Sequence, residues 1–293
     1  MVSFKEALDG VGIPHPSQDI AEGRFSRWGK NSRYWAKAVG AGYVFGDYVN
    51  GISECVFPRC EANSKDWEKY RRQIKAVREK NKREEAAAEE ALCIWNDSVP
   101  ISGQSHPYLR SKGVDSFGLR VQGNNLIVPL YETDGRLSSI QYIYYDFGTS
   151  DCKKRFQPGC KTKGCFYLFG CDSERILLCE GYATAASIHM ATGEQTVVCF
   201  SSGNMAAVAY ALRMKYPAKE IIICADNDET GLKAAKATGL KYMYPKFEDV
   251  GIDRFRRLTG FTTSVQSDGR PTDFNDYGNI YGLEDLRKCL KKI

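Results

Sequence analysis

A repeated pattern of apolar strand, acidic residue and helix constrains the fold of this chain more than any other feature. The apolar runs Ile176–Cys179 and Ile221–Ala225 end abruptly in acid, at Glu180 in the first case and at Asp226 and Asp228 in the second. Each run is followed by a helix-like segment, and such alternation predicts a parallel sheet. Ligands of open α/β sheets bind at the carboxyl ends of the strands.

Three carboxylates at one sheet edge repel one another, so gathering them is costly unless a cation lies among them. Asp226 and Asp228 are two residues apart, and side chains at i and i+2 of an extended strand end point to the same side. They can hold one Mg²⁺ or a pair of ions ~4 Å apart. Alone, an Asp-x-Asp pair is equally consistent with a loop start or a helix cap. With Glu180 beside it, the pair predicts a Mg²⁺ or Mn²⁺ site for phosphoryl chemistry.

The composition is that of a globular chain of two or three domains, with 293 residues of which 43% are hydrophobic. The eleven cysteines lie mostly inside apolar runs, and the spacing of Cys55 and Cys60 fits no zinc ribbon or finger. We therefore expect reduced core cysteines and no zinc. The sequence has neither a long uncharged apolar run nor a signal peptide at its start, so we expect a cytoplasmic protein with no membrane association.

Two stretches of the chain are basic and free of acidic residues, although the net charge is only +5. Residues 152–163 hold Lys153, Lys154, Arg155, Lys161 and Lys163. Residues 23–37 hold Arg24, Arg27, Lys30, Arg33 and Lys37, interleaved with aromatic residues. Such stripes suit a polyanion, although an ordinary solvated surface is the alternative for either one.

Aromatic rings beside basic residues can stack the bases and hold the phosphates of a single strand. In the amino-terminal stripe the candidates for binding single-stranded DNA are Arg24, Trp28, Arg33 and Trp35. The alternative is that most of these rings form the core of a small domain.

The chain divides into four predicted segments. Residues 1–62 read as a small antiparallel β-meander that binds nucleic acid, and residues 63–95 as a charged linker helix. Residues 96–174 form a β-rich basic subdomain, with its basic stripe expected in a loop near Gly159. Residues 175–293 carry the strand–helix alternation. The predicted fold class is α/β in the carboxyl-terminal domain and α+β overall.

Several motifs resemble one family. The run Glu180-Gly-Tyr-Ala-Thr-Ala185 is similar to the signature of phage and conjugative-plasmid primases, and residues 175–276 resemble a toprim domain with its Rossmann-like parallel sheet. The stretches His106–Val114, Leu126–Leu130 and Ser139–Gln141 resemble the basic subdomain of that family. Glu22–Arg27 and Phe45–Asp47 resemble its leading module.

The resemblance implies specific roles for individual residues. The implied catalytic acids are Glu180, Asp226, Asp228 and Asp273, and the same four would bind the metal with help from Asp276. The implied nucleotide- and template-binding residues are Arg110, Lys112, Lys153, Lys154, Arg155, Lys161 and Lys163.

The implied activity is that of a stand-alone DNA-dependent RNA primase of a mobile element in a bacterial cytoplasm. It would make short primers on a single-stranded DNA template from NTPs with Mg²⁺ or Mn²⁺. The chain departs from bacterial primases because it lacks a Cys/His zinc module. It also lacks a P-loop, so a helicase or another replication protein would act in trans, unless the mobile element has no helicase. A toprim nuclease that uses the same acids and a non-enzymatic single-strand-binding accessory protein are the alternatives.

Overall fold

The computed structural model describes residues 3–39, 42–50, 52–56, 64–145, 152–249 and 270–291; for residues 64–71, 73 and 74 it describes the backbone alone. The chain divides into two compact units, Met1–Lys80 and Asn81–Ile293. Within these described ranges, no helix is long and apolar enough to cross a membrane.

The first unit is an antiparallel meander with a short helix on one face. Its elements are α1 (Phe4–Gly10), β1 (Phe25–Trp28), a 3₁₀ turn (Lys30–Ser32), β2 (Tyr34–Val39), β3 (Gly42–Asp47) and β4 (Ile52–Val56), and the strand order is β1-β2-β3-β4. Ser3 and Glu6 form a capping box at the start of α1. Alternation along the strands puts Ala36 and Phe45 on the face that packs against Leu8 of α1.

The second unit contains two five-stranded sheets. The first is antiparallel, with the order β5-β6-β7-β8-β9, and the second has the order β10-β12-β11-β13-β14. The strands of the antiparallel sheet are β5 (Val99–Pro100), β6 (Arg120–Gln122), β7 (Asn125–Tyr131), β8 (Leu137–Tyr145) and β9 (Cys152–Phe156). The strands of the other sheet are β10 (Tyr167–Phe169), β11 (Arg175–Cys179), β12 (Gln195–Val198), β13 (Glu220–Cys224) and β14 (Lys241–Met243).

The helices follow the expected alternation. They are α2 (Ser64–Asp97), α3 (Pro107–Lys112), α4 (Tyr182–Thr192), α5 (Ser202–Lys215), α6 (Glu229–Ala237), α7 (Phe274–Tyr281) and α8 (Leu283–Leu290). In the second sheet β11, β12, β13 and β14 are parallel, and β10 is an antiparallel edge strand. The predicted α/β class is therefore confirmed.

One apolar core joins the two sheets of the second unit. It includes Leu126 and Ile143 from the antiparallel sheet and Leu177, Cys179 and Cys224 from the parallel sheet. The last turns of α2 pack on the antiparallel sheet through Ala91, which clusters with Ile127 and Ile140. Because the core is shared, the basic strand of one sheet and the acidic edge of the other belong to one packed body.

The structure corrects one prediction about local structure and adds one helix that was not predicted. Lys153, Lys154 and Arg155 lie in strand β9, which pairs with β8, and not in the loop expected near Gly159. Helix α7 follows Asp273 in a tail for which no helix was predicted at this position. The division into four segments remains a prediction.

Asn204, near the start of α5, ties the loop between β9 and β10 to the parallel sheet. Its side chain accepts a hydrogen bond from the Gly164 N–H at 2.7 Å and donates to the carbonyl oxygens of Cys165 at 3.0 Å and Cys199 at 2.9 Å. It also lies 3.2 Å from the Thr162 carbonyl oxygen. The residue is only 8% exposed, so these backbone groups have little access to replacement water.

We therefore expect Asn204→Ala to lower the free energy of unfolding by roughly 1–3 kcal/mol, because several buried backbone groups lose their partner. Urea unfolding followed by circular dichroism measures this. Asn96→Ala, at an exposed position near the end of α2, is the control and should stay within about 0.5 kcal/mol of wild type. Equal effects of the two substitutions would contradict a role for Asn204 as a tether.

Candidate active site

Acidic residues from separate parts of the chain gather at the carboxyl edge of the parallel sheet. Cys179 of β11 is in register with Cys224 of β13, so Glu180 follows one residue beyond this pair and Asp226 two residues beyond it. The backbone N–H of Asn227 donates to the carbonyl oxygen of Thr272 at 2.7 Å, which brings the segment containing Asp273 to the same edge. The structure thus brings together the acids that the sequence analysis singled out.

Asp226 carries the largest electrostatic strain of the cluster. Its Oδ1 atom is buried and has no hydrogen-bond partner among the described residues. Burial, followed by repulsion from Asp273, Glu180, Asp228 and Asp276, raises the pKa of Asp226 to about 8. A carboxylate in this state is destabilised by its surroundings and gains from any cation that approaches it.

Glu180 is held by the loop that follows β12. Burial raises its pKa, while a hydrogen bond from the backbone of Ser202 lowers it; Asp228 raises it, Lys154 lowers it and Asp273 raises it. The Phe200 N–H donates to the Glu180 carbonyl oxygen at 2.9 Å. Phe200 has a φ of +70°, which is rare for a bulky residue, so the loop accepts backbone strain where it meets Glu180.

Asp228 and Asp273 each begin a helix. The Asp228 Oδ1 atom accepts from the Gly231 N–H at 2.6 Å at the start of α6. The Asp273 side chain accepts from the Asp276 N–H at 2.8 Å at the start of α7. These acids can cap helices and also bind a metal ion, because capping uses one carboxylate oxygen and leaves the other at the sheet edge.

Asp276 is part of a capping box. Its Oδ2 atom accepts from the Thr272 N–H at 2.9 Å, while Oδ1 is buried without a hydrogen-bond partner among the described residues. Burial and then Asp273 raise the pKa of Asp276 to about 7, although nearby Lys112 lowers it. The residue is 1% exposed, so its visible task is to shape the turn that presents Asp273.

Gly231 permits the close packing at this edge and was not singled out from the sequence. A Cβ atom there would lie 2.8 Å from the carbonyl oxygen of Asp226 and 3.3 Å from its Cβ atom. Any larger residue would therefore push the Asp226 backbone away. A glycine in the first turn of a helix, where it lowers helix propensity, was the available signal.

Lys154 lies opposite the acids. The Tyr108 hydroxyl raises the pKa of Lys154, and Cys152, Asp273 and Asp226 raise it further. The Tyr108 hydroxyl is itself buried without a hydrogen-bond partner among the described residues. Lys154 is an exposed residue at the rim, so water screens part of its attraction to the acids.

The alternation of strand β9 separates the residues of the basic stripe. Lys154 is paired with buried Ile143, whereas Lys153 is paired with Tyr144 and Arg155 with Tyr142. Lys153 and Arg155 therefore project from the other face of the antiparallel sheet. Both are exposed.

The remaining predicted nucleotide-binding residues have diverse surroundings. Lys112 is 6% exposed and lies close enough to Asp276 to lower its pKa, and the Lys112 carbonyl oxygen accepts from the Asn275 side chain at 2.7 Å. Arg110 donates to the Ser105 carbonyl oxygen at 2.9 Å. Lys161 forms an ion pair with Glu132, and Lys163 is exposed. Their roles in binding remain predictions.

The four candidates in the first unit also differ from one another. The Trp28 Nε1–H donates to the Pro14 carbonyl oxygen at 2.6 Å, and Arg33 forms an ion pair with Asp47 at 2.7 Å. Both contacts are structural. Arg24 is exposed, and Trp35 is partly exposed on the face of the sheet that α1 does not cover.

A divalent cation fits the acidic edge, although the described residues form no ready-made cage for it. Among the residues that the structure describes, no group of three or more His, Cys, Asp and Glu side chains is arranged to hold a metal ion. Mg²⁺ is commonly bound by one or two carboxylates together with water and substrate phosphates, and needs no such cage. The unpartnered Oδ1 atom of Asp226 is the observation that supports this fit.

Comparison with known proteins finds a family match that includes the acidic edge. Residues 175–280 match the family model described as Toprim domain. These residues form a toprim domain. Two proteins of Escherichia coli, both called DNA primase TraC, are 36% and 34% identical to this chain in alignments of 190 residues that cover 58% of this chain. The resemblance to plasmid primases is therefore confirmed.

The match is partial for the relatives themselves. The chain covers 13% of the length of one TraC protein and 17% of the other. Among solved structures, the zinc-binding and RNA polymerase domains of the Aquifex aeolicus primase give a TM-score of 0.44 at 12% identity, over 92% of this chain and 80% of that chain.

The raised pKa values give the toprim domain a defined dependence of stability on pH. The folded state keeps a proton on Asp226 up to a pH of about 8, whereas an ordinary aspartate has a pKa of 3.8 and loses its proton near that pH. Folding therefore takes up a proton at Asp226 in this window, so the contribution of this residue to the stability of the metal-free protein falls as the pH rises from about 4 to about 8. Asp276 acts in the same direction.

We expect Asp226→Asn to raise the melting temperature of the metal-free protein at pH 8, by an amount on the order of several °C, and to flatten this dependence on pH. Differential scanning calorimetry in EDTA from pH 5 to pH 9 measures it. Mg²⁺ should stabilise wild type more than the variant. Asp97→Asn at the exposed end of α2 is the control. A lower melting temperature for Asp226→Asn at pH 8 would contradict the buried, repelled carboxylate.

Proposed function

We propose that this chain is a DNA primase that makes short RNA primers on single-stranded DNA for the replication of a mobile element, by metal-dependent nucleotidyl transfer. The observation that carries the proposal is the meeting of Glu180, Asp226 and Asp273 at one sheet edge with Lys154 opposite them. The primase names of the TraC relatives favour synthesis over the other reactions of such acids.

The proposed reaction joins two nucleotides. The 3′-oxygen of one attacks the α-phosphorus of an NTP, a new P–O bond forms, the bond to the β-phosphate breaks and pyrophosphate leaves. The 3′-hydroxyl is a weak acid, and the leaving group carries much negative charge. Catalysis therefore requires a proton acceptor at one end and positive charge at the other.

The residues divide this work between them. Glu180, whose pKa is raised above its usual range, is suited to hold or accept the proton of the 3′-hydroxyl. Asp226, Asp228 and Asp273 would hold the divalent cation, Mg²⁺ or Mn²⁺, with Asp276 supporting Asp273. The cation, when bound, would activate the hydroxyl and neutralise phosphate charge.

Lys154 is one cation that the chain itself supplies at the site. It lies across from Asp226 and Asp273, where it would bind the triphosphate and stabilise the negative charge that develops on pyrophosphate. Lys153 and Arg155, on the other face of the sheet, would instead contact the template backbone. Holding both nucleotides also lowers the entropic barrier, by at most ~7–11 kcal/mol.

The proposed partners follow from this reaction. They are a single-stranded DNA template, NTPs and a replicative helicase or other replication protein acting in trans, in the bacterial cytoplasm. The expectation that no zinc is needed remains a prediction.

The direct test is primer synthesis on single-stranded DNA with labelled NTPs and Mg²⁺ or Mn²⁺. We expect oligoribonucleotides from wild type, and a loss of at least about 100-fold with Glu180→Gln or Asp226→Asn, because each removes a carboxyl group from the site. Circular dichroism shows whether the variants are folded. Glu174→Gln, at an exposed position just before β11, is the control and should leave synthesis unchanged.

Two other outcomes would replace the proposal. Metal-dependent degradation of the DNA in place of primer synthesis, lost in the same two variants, would indicate a toprim nuclease. Binding of single-stranded DNA with no metal-dependent reaction would indicate a non-enzymatic accessory protein.

Neighbouring lysines of β9 provide a matched pair of substitutions. We expect Lys154→Ala to raise the KM for NTP and lower kcat, together at least about tenfold in kcat/KM, because its charge faces the acids. Lys153→Ala should leave the KM for NTP unchanged and reduce only the salt-dependent binding of template. The kinetics are measured on one template across NTP concentrations. Equal effects on the KM for NTP would contradict the assignment of the two lysines to different faces.

A further inference from the structure

One face of the sheet in the first unit is aromatic, basic and not covered by the helix of that unit. Strand alternation and register place Phe25 and Arg27 of β1 on this face together with Trp35 and Lys37 of β2. Tyr48 follows β3 and joins them. Phe25 is 46% exposed and Tyr48 44%, although both are large rings that a folded domain usually buries. We call these five residues the aromatic face.

The rings of the aromatic face form a continuous surface. The centroids of Phe25 and Trp35 are 5.5 Å apart, with 13° between the ring planes. Those of Trp35 and Tyr48 are 6.1 Å apart, with 40° between the planes. The guanidinium carbon of Arg27 lies 5.3 Å from the Phe25 centroid and 5.3 Å from that of Tyr48. Arg27 Nη2 also donates to the Tyr48 hydroxyl at 3.3 Å.

Gly46 of β3 makes room for this arrangement. It is paired with Trp35 in the register of the sheet, and a Cβ atom at Gly46 would lie 2.9 Å from ring carbons of Trp35 and closer still to the carbonyl oxygen of Ile52. The tryptophan ring can therefore lie flat over the strand only because this residue has no side chain.

The charge of the aromatic face is of one sign. Following the register across the four strands, its described positions include Arg27 and Lys37 and no carboxylate. The acidic residues of these strands, Asp47 and Glu54, belong to the opposite face. The face thus offers flat rings and positive charge, which complement unpaired bases and phosphates respectively.

A cleft beside β1 extends the positive charge. Its volume is about 330 Å³, and its lining includes Arg24, Arg27, Ser17 and Ser26, with Asp19 as the acidic member. Arg27 belongs to both the cleft and the aromatic face. A strand whose bases lie on the rings can therefore place its phosphates along Arg24 and Arg27, as basic grooves do in proteins that bind single strands.

We propose that the aromatic face is a binding platform for single-stranded DNA, on which Phe25, Trp35 and Tyr48 stack unpaired bases and Arg27, Lys37 and Arg24 hold the phosphates. The proposal rests on the proposed function for the identity of the strand, namely the template. It changes the set of residues predicted from the sequence to bind single-stranded DNA. Trp35 and Arg24 remain in that set. Trp28 and Arg33 leave it, because they support the sheet through their contacts with Pro14 and Asp47.

Binding of a fluorescein-labelled 20-nucleotide dT oligomer to the full chain, followed by anisotropy in EDTA, tests the platform. We expect Phe25→Ala and Trp35→Ala each to weaken binding about tenfold or more, because a ring that stacks a base is lost. Trp35→Phe keeps a ring and should recover most of the affinity. Arg27→Gln should reduce the slope of log affinity against log salt by about 0.7, the loss of one phosphate contact on a single strand.

The control removes a similarly exposed ring elsewhere. Tyr210 on α5 is 39% exposed, and Tyr210→Ala should bind the oligomer as wild type does. Wild type should bind a duplex of the same length at least tenfold more weakly, because paired bases cannot stack on the rings. An rU oligomer of the same length shows whether the platform distinguishes DNA from RNA; preference for either single strand over the duplex supports stacking of unpaired bases.

Two results would overturn the platform. One is unchanged affinity in folded Phe25→Ala and Trp35→Ala, which would leave this face to a protein partner. The other is equal affinity for single strand and duplex. EDTA removes the metal-dependent reaction, so failure of primer synthesis with intact strand binding counts against the primase proposal alone. If Phe25→Ala and Trp35→Ala bind the strand as wild type does while primer synthesis is intact, that result counts against the platform alone.

Discussion

Repulsion among buried and partly buried carboxylates is the constraint on which the site depends. Asp226 keeps an unpartnered buried oxygen and a pKa of about 8 because Asp273, Glu180, Asp228 and Asp276 all act on it. The fold holds these acids in place by other means: Asp228 and Asp273 cap helices, and Gly231 lets α6 approach the Asp226 backbone. The repulsion among the carboxylates is thus local and is offset by packing elsewhere, which is the arrangement expected of a cation-binding site.

The position of the opposing positive charge depends on a second sheet. Lys154 comes from β9, which belongs to the antiparallel sheet and precedes all the acidic residues of the site in the sequence. It faces Asp226 and Asp273 because both sheets share one apolar core. Phe156 of β9 also packs against the strained Phe200 of the loop that holds Glu180, with ring centroids 6.0 Å apart. Asn204 ties the same loop region to the segment after β9. The spacing between acid and base is therefore a property of the whole second unit.

The sequence predicted those features that follow from local pattern. Strand–helix alternation placed Glu180 and Asp226 at one edge, because parallel strands end at the same edge. Asp273 required the family resemblance, because the hydrogen bond between Asn227 and Thr272 that brings it there joins residues far apart in sequence. The sides of Lys153 and Lys154 could not be predicted while their segment was taken for a loop, since only a strand imposes alternation. The tethering role of Asn204 could not be predicted, because its buried hydrogen bonds reach residues that are distant in sequence.

The same rule of alternation explains why the aromatic residues of the first unit divide into two groups. Neighbours such as Arg27 and Trp28 point to opposite faces of the sheet. Arg27 is therefore accessible to a ligand, whereas Trp28 supports the sheet through its hydrogen bond to Pro14. A basic aromatic stripe read without its register mixes both groups, and large rings then look equally suited to core and ligand. The register separates them physically. Burial of the rings on the helix side stabilises the unit. Rings on the open side stay exposed to water, and no packing within the unit offsets the unfavourable free energy of that exposure. Contact with a ligand would offset that cost, and unpaired bases match both the flat rings and the charge of Arg27.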